Sequence, residues 1–412
     1  MSDMAEKLKE YCTVISGYAF KSKDLSEGTD IPVIKIGNIS NGKNVVIDDS
    51  TQYVNEEFLS VDEKYHIKNG DILISLTGSH MNQPNSMVGR CCRNLDDTIY
   101  LLNQRAGKII PNKSVDKDFL YYVFRLPSIQ YAIANRAYGG ANQVNVSPKD
   151  VMGIKFDIPD ITIQKKIADV LNAYDSLIQN NNKRIHLLEQ MAENLYKEWF
   201  VRFRFPGYEN TKFVDGIPSD WQMLRMRDFC HVTDGTHDTP KPVSDGGVPL
   251  VTGKCIKNGF IDFNEPYNIS YQDHESISKR SGLQKGDILF SNIGTVGTTC
   301  LVNYDREFSV KNVIIFKPGN ITVSNYLYSW LNSDSIQAIF ATQTNGASQQ
   351  FVGLNFMRRF KILVPNANVL ELYSDRIKTI RTEIVKLHDI NENLTKQRDM
   401  LLPRLMSGKL KV

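Results

Sequence analysis

The stretch Tyr11-Cys-Thr-Val-Ile-Ser-Gly17 recurs as Phe229-Cys-His-Val-Thr-Asp-Gly235, and this repetition indicates the architecture of the chain. Five further matches follow in the same order along the chain, among them Gly70–Ser75 with Gly286–Ser291, Ser128–Gln130 with Ser335–Gln337, and Gly140–Gln143 with Gly346–Gln349. The offset between the matched segments falls from 218 to 206 residues and never rises, as a tandem duplication with changes in loop length requires. The sequence therefore predicts two copies of one structural unit.

Each copy is predicted to end in a long helix, because apolar residues after Pro159 and Pro365 recur at alternating steps of three and four. Each helix carries one Asn in this seam, Asn181 and Asn391. Rods of roughly 50–60 Å are too long to pack on one small domain, so we expect them to pair with each other as an antiparallel coiled coil. The first helix is expected to end at Phe205-Pro206-Gly207, and Pro403 to break the second. The predicted seam residues are Leu171, Tyr174, Ile178, Asn181, Leu188, Leu195, Ile377, Ile380, Ile384, Leu387, Leu394 and Leu401.

The parts that precede the helices are predicted to be α+β domains. Short runs rich in β-forming residues, such as Pro32–Ile36 and Pro249–Thr252, are bounded by Gly, Asn and Pro. Residues 119–134 and 326–341 have helical patterns. The predicted organisation is a first domain at 1–159, a first helix at 160–206, a second domain at 207–365 and a second helix at 366–412.

Composition excludes several classes of protein. With 41% apolar and 23% charged residues, the 412-residue chain has the balance of a folded globular protein. No apolar run approaches the length of a membrane span, and the N-terminus lacks the pattern of a signal peptide. The six cysteines include no C-x-x-C pair and favour reduced thiols in a cytoplasm. Because the net charge is only +3 and both domains are close to neutral, charge alone does not indicate a nucleic-acid binder.

Motifs for catalysis are mostly missing. Gly247–Cys255 resembles a phosphate-binding loop but has the wrong spacing, so a strand ending in a turn is predicted there. The histidines do not have zinc-site spacing, and Cys91 and Cys92 are predicted to be small core residues. Asp62-Glu-Lys64 matches a loose nuclease pattern that also occurs by chance. We therefore predict a protein that binds rather than one that catalyses, with no catalytic residue, metal site or cofactor of its own.

Several segments at the ends of these elements resemble the specificity subunit of type I restriction-modification systems. Tyr196–Tyr208 is similar to the central conserved region of that family, and Arg398–Lys409 is similar to its distal conserved region. Asp215–Trp221 resembles the entry to its target-recognition domains, and the segments that start at Gly17 and Asp234 resemble their first loops. The first half lacks the Gly-Ile-Pro…Trp entry, so its first strand is expected to begin differently or to be missing.

This resemblance implies a non-catalytic subunit with two target-recognition domains, each reading one half of a split site on double-stranded DNA. The helical pair would set the gap between the half-sites and dock the partner subunits. The implied partners are two modification subunits, which bind S-adenosylmethionine and methylate adenine, and restriction subunits that use ATP and magnesium.

Base reading requires Arg, Lys, Asn, Gln or similar side chains at the DNA surface. The loops Gly140–Gln143 and Gly346–Gln349 recur in both copies, so a base contact and a turn that satisfies local backbone groups are both open interpretations. Trp199 is predicted to pack within the chain, and Phe200 to dock a partner. The candidate DNA-binding residues are Lys21, Lys23, Arg90, Arg105, Asn142, Gln143, His237, Lys241, Lys254, Lys311, Ser348 and Gln349.

Two alternatives remain open from the residues alone. One is a coiled-coil scaffold that joins protein partners without reading DNA, because heptad helices serve that role equally well. The other is a stand-alone metal-dependent nuclease with an unrecognised site.

Overall fold

A computed structural model describes residues 6–26, 30–40, 42, 44–79, 88–140, 143–344 and 351–412. The chain divides into two compact units, Met1–Asn180 with Ile390–Val412, and Asn181–Asp389. Each unit therefore combines one globular part with one end of each long helix. Within the described ranges, no helix has both the length and the apolar character to cross a membrane.

Among the described residues, the first unit contains short strands and three short α-helices, followed by the start of a long helix. The strands are β1 (Glu6–Lys7), β2 (Cys12–Ser16), β3 (Ile31–Ile34), β4 (Gln52–Val54), β5 (His66–Ile67), β6 (Ile72–Ser75), β7 (Thr77–Gly78), β8 (Cys91–Arg93), β9 (Tyr100–Leu102), β10 (Ala106–Pro111), β11 (Tyr138–Gly139), β12 (Val144–Asn145) and β13 (Lys155–Phe156). The helices are α1 (Lys117–Arg125), α2 (Pro127–Ala134), α3 (Pro148–Met152) and α4 (Ile161–Tyr196).

The second unit has the same kinds of element and contains the start of the other long helix. Its strands are β14 (Phe213–Val214), β15 (Ile217–Pro218), β16 (Gln222–Arg225), β17 (His231–Asp234), β18 (Val248–Val251), β19 (Ile256–Lys257), β20 (Phe260–Ile261), β21 (Asn268–Ile269), β22 (Ile288–Ser291), β23 (Thr299–Leu301), β24 (Ser309–Val310), β25 (Val313–Lys317) and β26 (Lys361–Val364). Its helices are α5 (Met226–Phe229), α6 (Tyr271–Ser281), α7 (Ile321–Leu331), α8 (Asp334–Thr344), α9 (Leu354–Arg359) and α10 (Ala367–Met406).

The two units share one sheet topology. An antiparallel sheet with the order β2-β10-β6-β8 in the first unit corresponds to β17-β25-β22-β23 in the second. A parallel pair, β3 with β9, corresponds to β18 with β24, and the pair β1–β13 corresponds to β16–β26. The predicted tandem repeat of α+β domains is confirmed by this correspondence.

The structure gives finer detail than the prediction for two helices, for the first strand and for two cysteines. The helical pattern at 119–134 is divided into α1 and α2, because Leu126 is extended before Pro127, as the residue before a proline prefers. The pattern at 326–341 is likewise divided into α7 and α8. The first strand of the first unit is present but short, since β1 has two residues where β16 has four. Cys91 and Cys92 are buried as predicted, and burial raises the pKa of the Cys91 thiol to about 12.

Both long helices end differently from the predicted positions. After α4 a single π-helical turn, Lys197–Val201, extends the helix, and Phe203 then takes a positive φ of 55°. The helix therefore stops before Phe205. Pro403 does not break α10, which continues to Met406. Because Pro403 lies in the last turn, its missing N–H removes only one helical hydrogen bond, and burial of the side chains beside it offsets that cost.

The predicted seam lies on the covered face of the two long helices. In the second unit Arg184 of α4 donates to Glu383 of α10 at 2.9 Å, and in the π-helical turn after α4 the Trp199 ring lies 5.7 Å from Tyr373 of α10. Because the contacting residue number falls from 383 to 373 in α10 while it rises from 184 to 199 in the first helix, the two helices run antiparallel. Buried seam residues are Leu171, Asn181, Ile377 and Leu387, and half-buried ones are Tyr174, Ile178, Leu188, Leu195, Ile380, Ile384, Leu394 and Leu401.

In the first unit the long helices are joined to α1 by a charged cluster. Asp175 of α4 accepts hydrogen bonds from Arg398 of α10 at 2.6 Å and from the Tyr122 hydroxyl at 2.7 Å. Arg125 of α1 lies 3.9 Å from the same carboxylate. Burial alone would lower the pKa of Arg398, but the charge of Asp175 raises it overall. Asp399 also pairs with Arg398 at 2.8 Å and with Arg125 at 3.5 Å, so the cluster combines a buried and an exposed carboxylate with several arginines.

In the second unit the same contact uses neutral partners. Arg381 of α10 donates to the Asn325 side chain, to the Asn325 carbonyl oxygen at 3.0 Å and to the Ser329 hydroxyl at 2.8 Å. Its guanidinium lies 4.7 Å from the centre of the Tyr328 ring. Burial lowers the pKa of Arg381, because no carboxylate among the described residues offsets it.

Candidate nucleic-acid interface

In both units the chain leaves the four-stranded antiparallel sheet directly after β2 or β17 and passes the end of a strand of the parallel pair, β9 or β24. We call this place the crossing point. In the first unit the Tyr18 N–H donates to Leu102 O at 2.7 Å, and a Cβ atom at Gly17 would lie 2.2 Å from the same oxygen. In the second unit the Thr236 N–H donates to Val310 O at 3.0 Å, and a Cβ at Gly235 would also lie 2.2 Å away. The recurring glycine is therefore required by close backbone approach, and the loop after it starts from the same geometry in both units.

In the first unit two predicted arginines lie at the end of β6. The Ser75 N–H donates to Arg90 O at 2.9 Å, and the Leu76 N–H donates to Arg105 O at 3.1 Å. Lys35, which follows β3, has its pKa lowered by burial and by the charge of Arg105. Among the residues the structure describes, no carboxylate lies within 4.0 Å of these three cations. Their charges are thus available to an anionic ligand.

The remaining first-unit candidates lie at different places relative to the end of β6. Gln143 is exposed and directly precedes β12, which pairs with β7 just beyond Leu76, so Gln143 lies on the same side of the unit as the end of β6. Lys21 and Lys23 are exposed on the loop after Phe20. Asn142 lies outside the described residues.

In the second unit His237 is held at both ring nitrogens. Its Nδ1 lies 2.9 Å from Asn312 Oδ1, and its Nε2 lies 2.9 Å from Asp234 Oδ2. Asp234, with a side chain only 10% exposed, also accepts from Arg280. These contacts fix the loop that starts at Gly235, so His237 positions that loop and has no nitrogen left for a base.

Two of the three predicted second-unit lysines lie beside the end of β18. The Lys311 N–H donates to Val251 O at 2.9 Å, and its ammonium donates to the Thr239 hydroxyl. Lys254 is exposed in the turn that follows β18, which confirms the predicted strand and turn at this place. Lys241 is exposed further along the loop. Ser348 and Gln349 lie outside the described residues.

Phe200 is buried, with 7% of its surface exposed. Its ring centre lies 4.7 Å from Tyr373, 4.8 Å from Tyr326 and 5.8 Å from Trp221. The ring therefore belongs to the aromatic core of the second unit, as Trp199 also does, and little of it is accessible to a partner. This placement corrects the expectation that Phe200 docks another subunit.

Sequence reasoning missed two kinds of residue. Lys35 follows a buried strand whose parallel neighbour ends beside the crossing point, a signal that strand pairing alone could have given. Exposed apolar residues on the long helices, outside the seam, were also missed. They are Leu177, Leu187, Met191 and Met400, each more than half exposed.

Comparison with models of known protein families identifies the family of this chain. The family model for the type I restriction modification DNA specificity domain matches residues 2–190 and 218–396. The chain belongs to this family. The two matched segments correspond to the two copies of the repeat, so the specificity domain occurs twice. The prediction of a type I specificity subunit that is not itself an enzyme is thereby confirmed, and neither the scaffold nor the nuclease alternative is supported.

Curated relatives and a solved structure agree with the assignment. The MjaIX specificity subunit of Methanocaldococcus jannaschii is 24% identical over 328 residues, which cover 75% of this chain and 73% of that protein. The EcoBI specificity subunit of Escherichia coli is 21% identical over 421 residues, covering 92% and 82%. The crystal structure of the S subunit from M. genitalium has a TM-score of 0.54 at 14% identity, covering 97% of this chain and 95% of that one. The specificity-subunit fold therefore extends over nearly the whole chain.

Proposed function

We propose that each unit reads one half of a bipartite, asymmetric site on double-stranded DNA. The observation that carries this proposal is the pair of crossing points, which share a backbone geometry but present different side chains. Arg90, Arg105 and Gln143 lie at one of them, and Lys254 and Lys311 at the other. A shared scaffold with different readers suits two half-sites that differ in sequence.

In this proposal the antiparallel helices set the gap between the half-sites and dock two modification subunits. The exposed Leu187 and Met191 on α4 support such docking, because large apolar side chains at the surface commonly mark protein contacts. Restriction subunits complete the complex, which works in the cytoplasm. S-adenosylmethionine, ATP and magnesium are bound by those partners, and this chain holds no cofactor.

The direct test is to express this chain with the modification subunit of its own system and to map N6-methyladenine in the host DNA. We expect one split motif that disappears when this chain is omitted. No new methylation from a stable, purified complex would contradict the proposal.

Variants assign each half of the motif to one unit. Arg105→Ala should relax the sequence requirement in one half only, and Lys311→Ala in the other, with a loss of discrimination of about 1–3 kcal/mol if the side chain contacts a base. Lys257→Gln is a matched control, because Lys257 is exposed but already paired with Asp262 at 3.0 Å and Glu265 at 2.8 Å. Relaxation of both halves by one variant would contradict the division of labour.

A further inference from the structure

Five cations meet at one corner of the second unit, which we call the basic corner: Arg225, Arg227, Arg358, Arg359 and Lys361. Arg225, the last residue of β16, is directly opposite Lys361, the first residue of β26. Arg227 follows in α5, and Arg358 and Arg359 end α9 just before β26. The Met226 N–H donates to Phe360 O at 2.8 Å and joins the two turns that carry these residues.

The charges of the basic corner are barely compensated. Within the described part of the chain, the only carboxylate within 4.0 Å of any of the five is Asp228, which lies 3.5 Å from Arg227. Like charges directly opposite each other on antiparallel strands are destabilising, so the Arg225–Lys361 pair costs the fold stability. Residues 206–366 contain equal numbers of acidic and basic side chains, 15 of each, yet a third of the cations are gathered here. Such a concentration indicates an anionic ligand.

A cavity of about 370 Å³ opens at this corner. Arg358 Nε and Nη2 donate to the Val232 carbonyl at 3.0 and 2.8 Å, which fixes its guanidinium at the wall. Arg227 and Arg359 are exposed beside it. The planar donor fork of arginine matches the oxygens of a phosphate group better than a lysine does. The cavity is lined by Arg227, His231, Val232, Asn355, Arg358 and Arg359.

We infer that the basic corner binds a phosphate of the DNA backbone and so anchors the second unit independently of base sequence. This inference rests on the proposed DNA-reading function and adds to it a contact away from the crossing point. The first unit supports a contact that does not depend on sequence, because Lys7 is directly opposite Lys155 and Lys9 occupies the position of Arg227. The two half-sites differ in their bases, but the phosphate backbone of each has the same chemistry.

The test measures how salt affects DNA binding by the complex of this chain with its modification subunits. The probe is a duplex that contains the methylated motif mapped as above. Each phosphate contact contributes about 0.9 to the slope of log affinity against log salt concentration, so Arg227→Gln with Arg359→Gln should lower the slope by about 1–2. The methylated motif should stay unchanged, because phosphate contacts carry no base information.

Two further proteins make the test specific. Arg227→Lys with Arg359→Lys keeps both charges and should restore most of the slope, which a role in folding alone would not predict. Lys257→Gln removes an exposed charge that is already paired and should leave the slope unchanged.

Three results would overturn the inference. An unchanged slope in the double glutamine variant, with wild-type binding intact, overturns the phosphate site alone. Loss of modification subunits from the variant complex without DNA shows that the corner binds protein instead. Failure of the wild-type complex to bind the duplex overturns the proposed function and this inference with it.

Discussion

The two units hold the long helices by opposite chemistry. In the first, the helix residue is a carboxylate, Asp175, and arginines surround it. In the second, the position 206 residues later is Arg381, and its partners are neutral. The α1 residue Asp118, which pairs with Arg93 at 2.8 Å, likewise corresponds to Asn325 in α7.

This comparison shows which properties of a duplicated unit are kept and which change. Strand order, the crossing glycines and the helix positions recur, because any change there would disturb many backbone contacts at once. The side chains between helix and domain have changed together, even in the sign of their charge. Compatible sets of partners can therefore replace one another as long as the backbone stays in place.

The largest expected effect is loss of the charge at the centre of the first-unit cluster. Asp175→Asn removes the buried carboxylate that Arg398, Arg125 and Arg93 share and leaves Arg398 and Arg125 paired with the more exposed Asp399, which should cost about 3–5 kcal/mol of unfolding free energy. Asn325→Ala, the comparison change in the second unit, removes one side-chain hydrogen bond to the Arg381 guanidinium and one to the Ser374 hydroxyl, and should cost about 1.5–3 kcal/mol. Guanidinium unfolding, with hydrogen exchange read separately in each unit, measures both. Equal costs would contradict the contrast between the units.

The C-terminal ends of the two long helices, at Phe200 and Met406, provide a second comparison between the units. Phe200→Ala should destabilise the second unit by about 3–4 kcal/mol, because the ring fills an aromatic core. Met406 occupies the corresponding position in the first unit and is equally buried, and Met406→Ala should cost about 2 kcal/mol. The three tryptophans, Trp199, Trp221 and Trp330, all lie in the second unit, so their fluorescence reports its unfolding.

We expect Phe200→Ala to move the fluorescence transition to lower denaturant concentration and Met406→Ala to move it much less. Equal shifts would show that the units unfold as one, and the separate description of their stabilities would then fail.

What the sequence could predict follows from the distance over which each feature is encoded. Local sequence patterns encode the repeat, the α+β class and the heptad seam. Every predicted seam residue is at least half-buried in the structure. The contact between Asp175 and Arg398 joins residues 223 positions apart, and no local pattern indicates it. Burial of Phe200 depends on rings from Tyr326 and Tyr373, so its neighbours in sequence gave the wrong expectation.

For the candidate DNA surface, the sequence could indicate residue types but not their availability. His237 has the chemistry of a base reader, yet Asp234 and Asn312 occupy both of its nitrogens. The charge of Arg105 lowers the pKa of Lys35, and no local pattern indicates this proximity because the two residues are far apart in sequence.

The crossing glycines, Gly17 and Gly235, test a feature in which the two units should agree. A Cβ at Gly17 or Gly235 would lie 2.2 Å from a carbonyl oxygen, so each alanine variant must displace backbone and should cost about 1–3 kcal/mol. Gly37→Ala is the control, since no atom lies within 4 Å of the added methyl group and the change should be near neutral. Because the candidate readers lie beside the crossing points, each variant should also weaken methylation that depends on its own half of the motif. A large cost in one unit and none in the other would show that the two units do not share the crossing geometry.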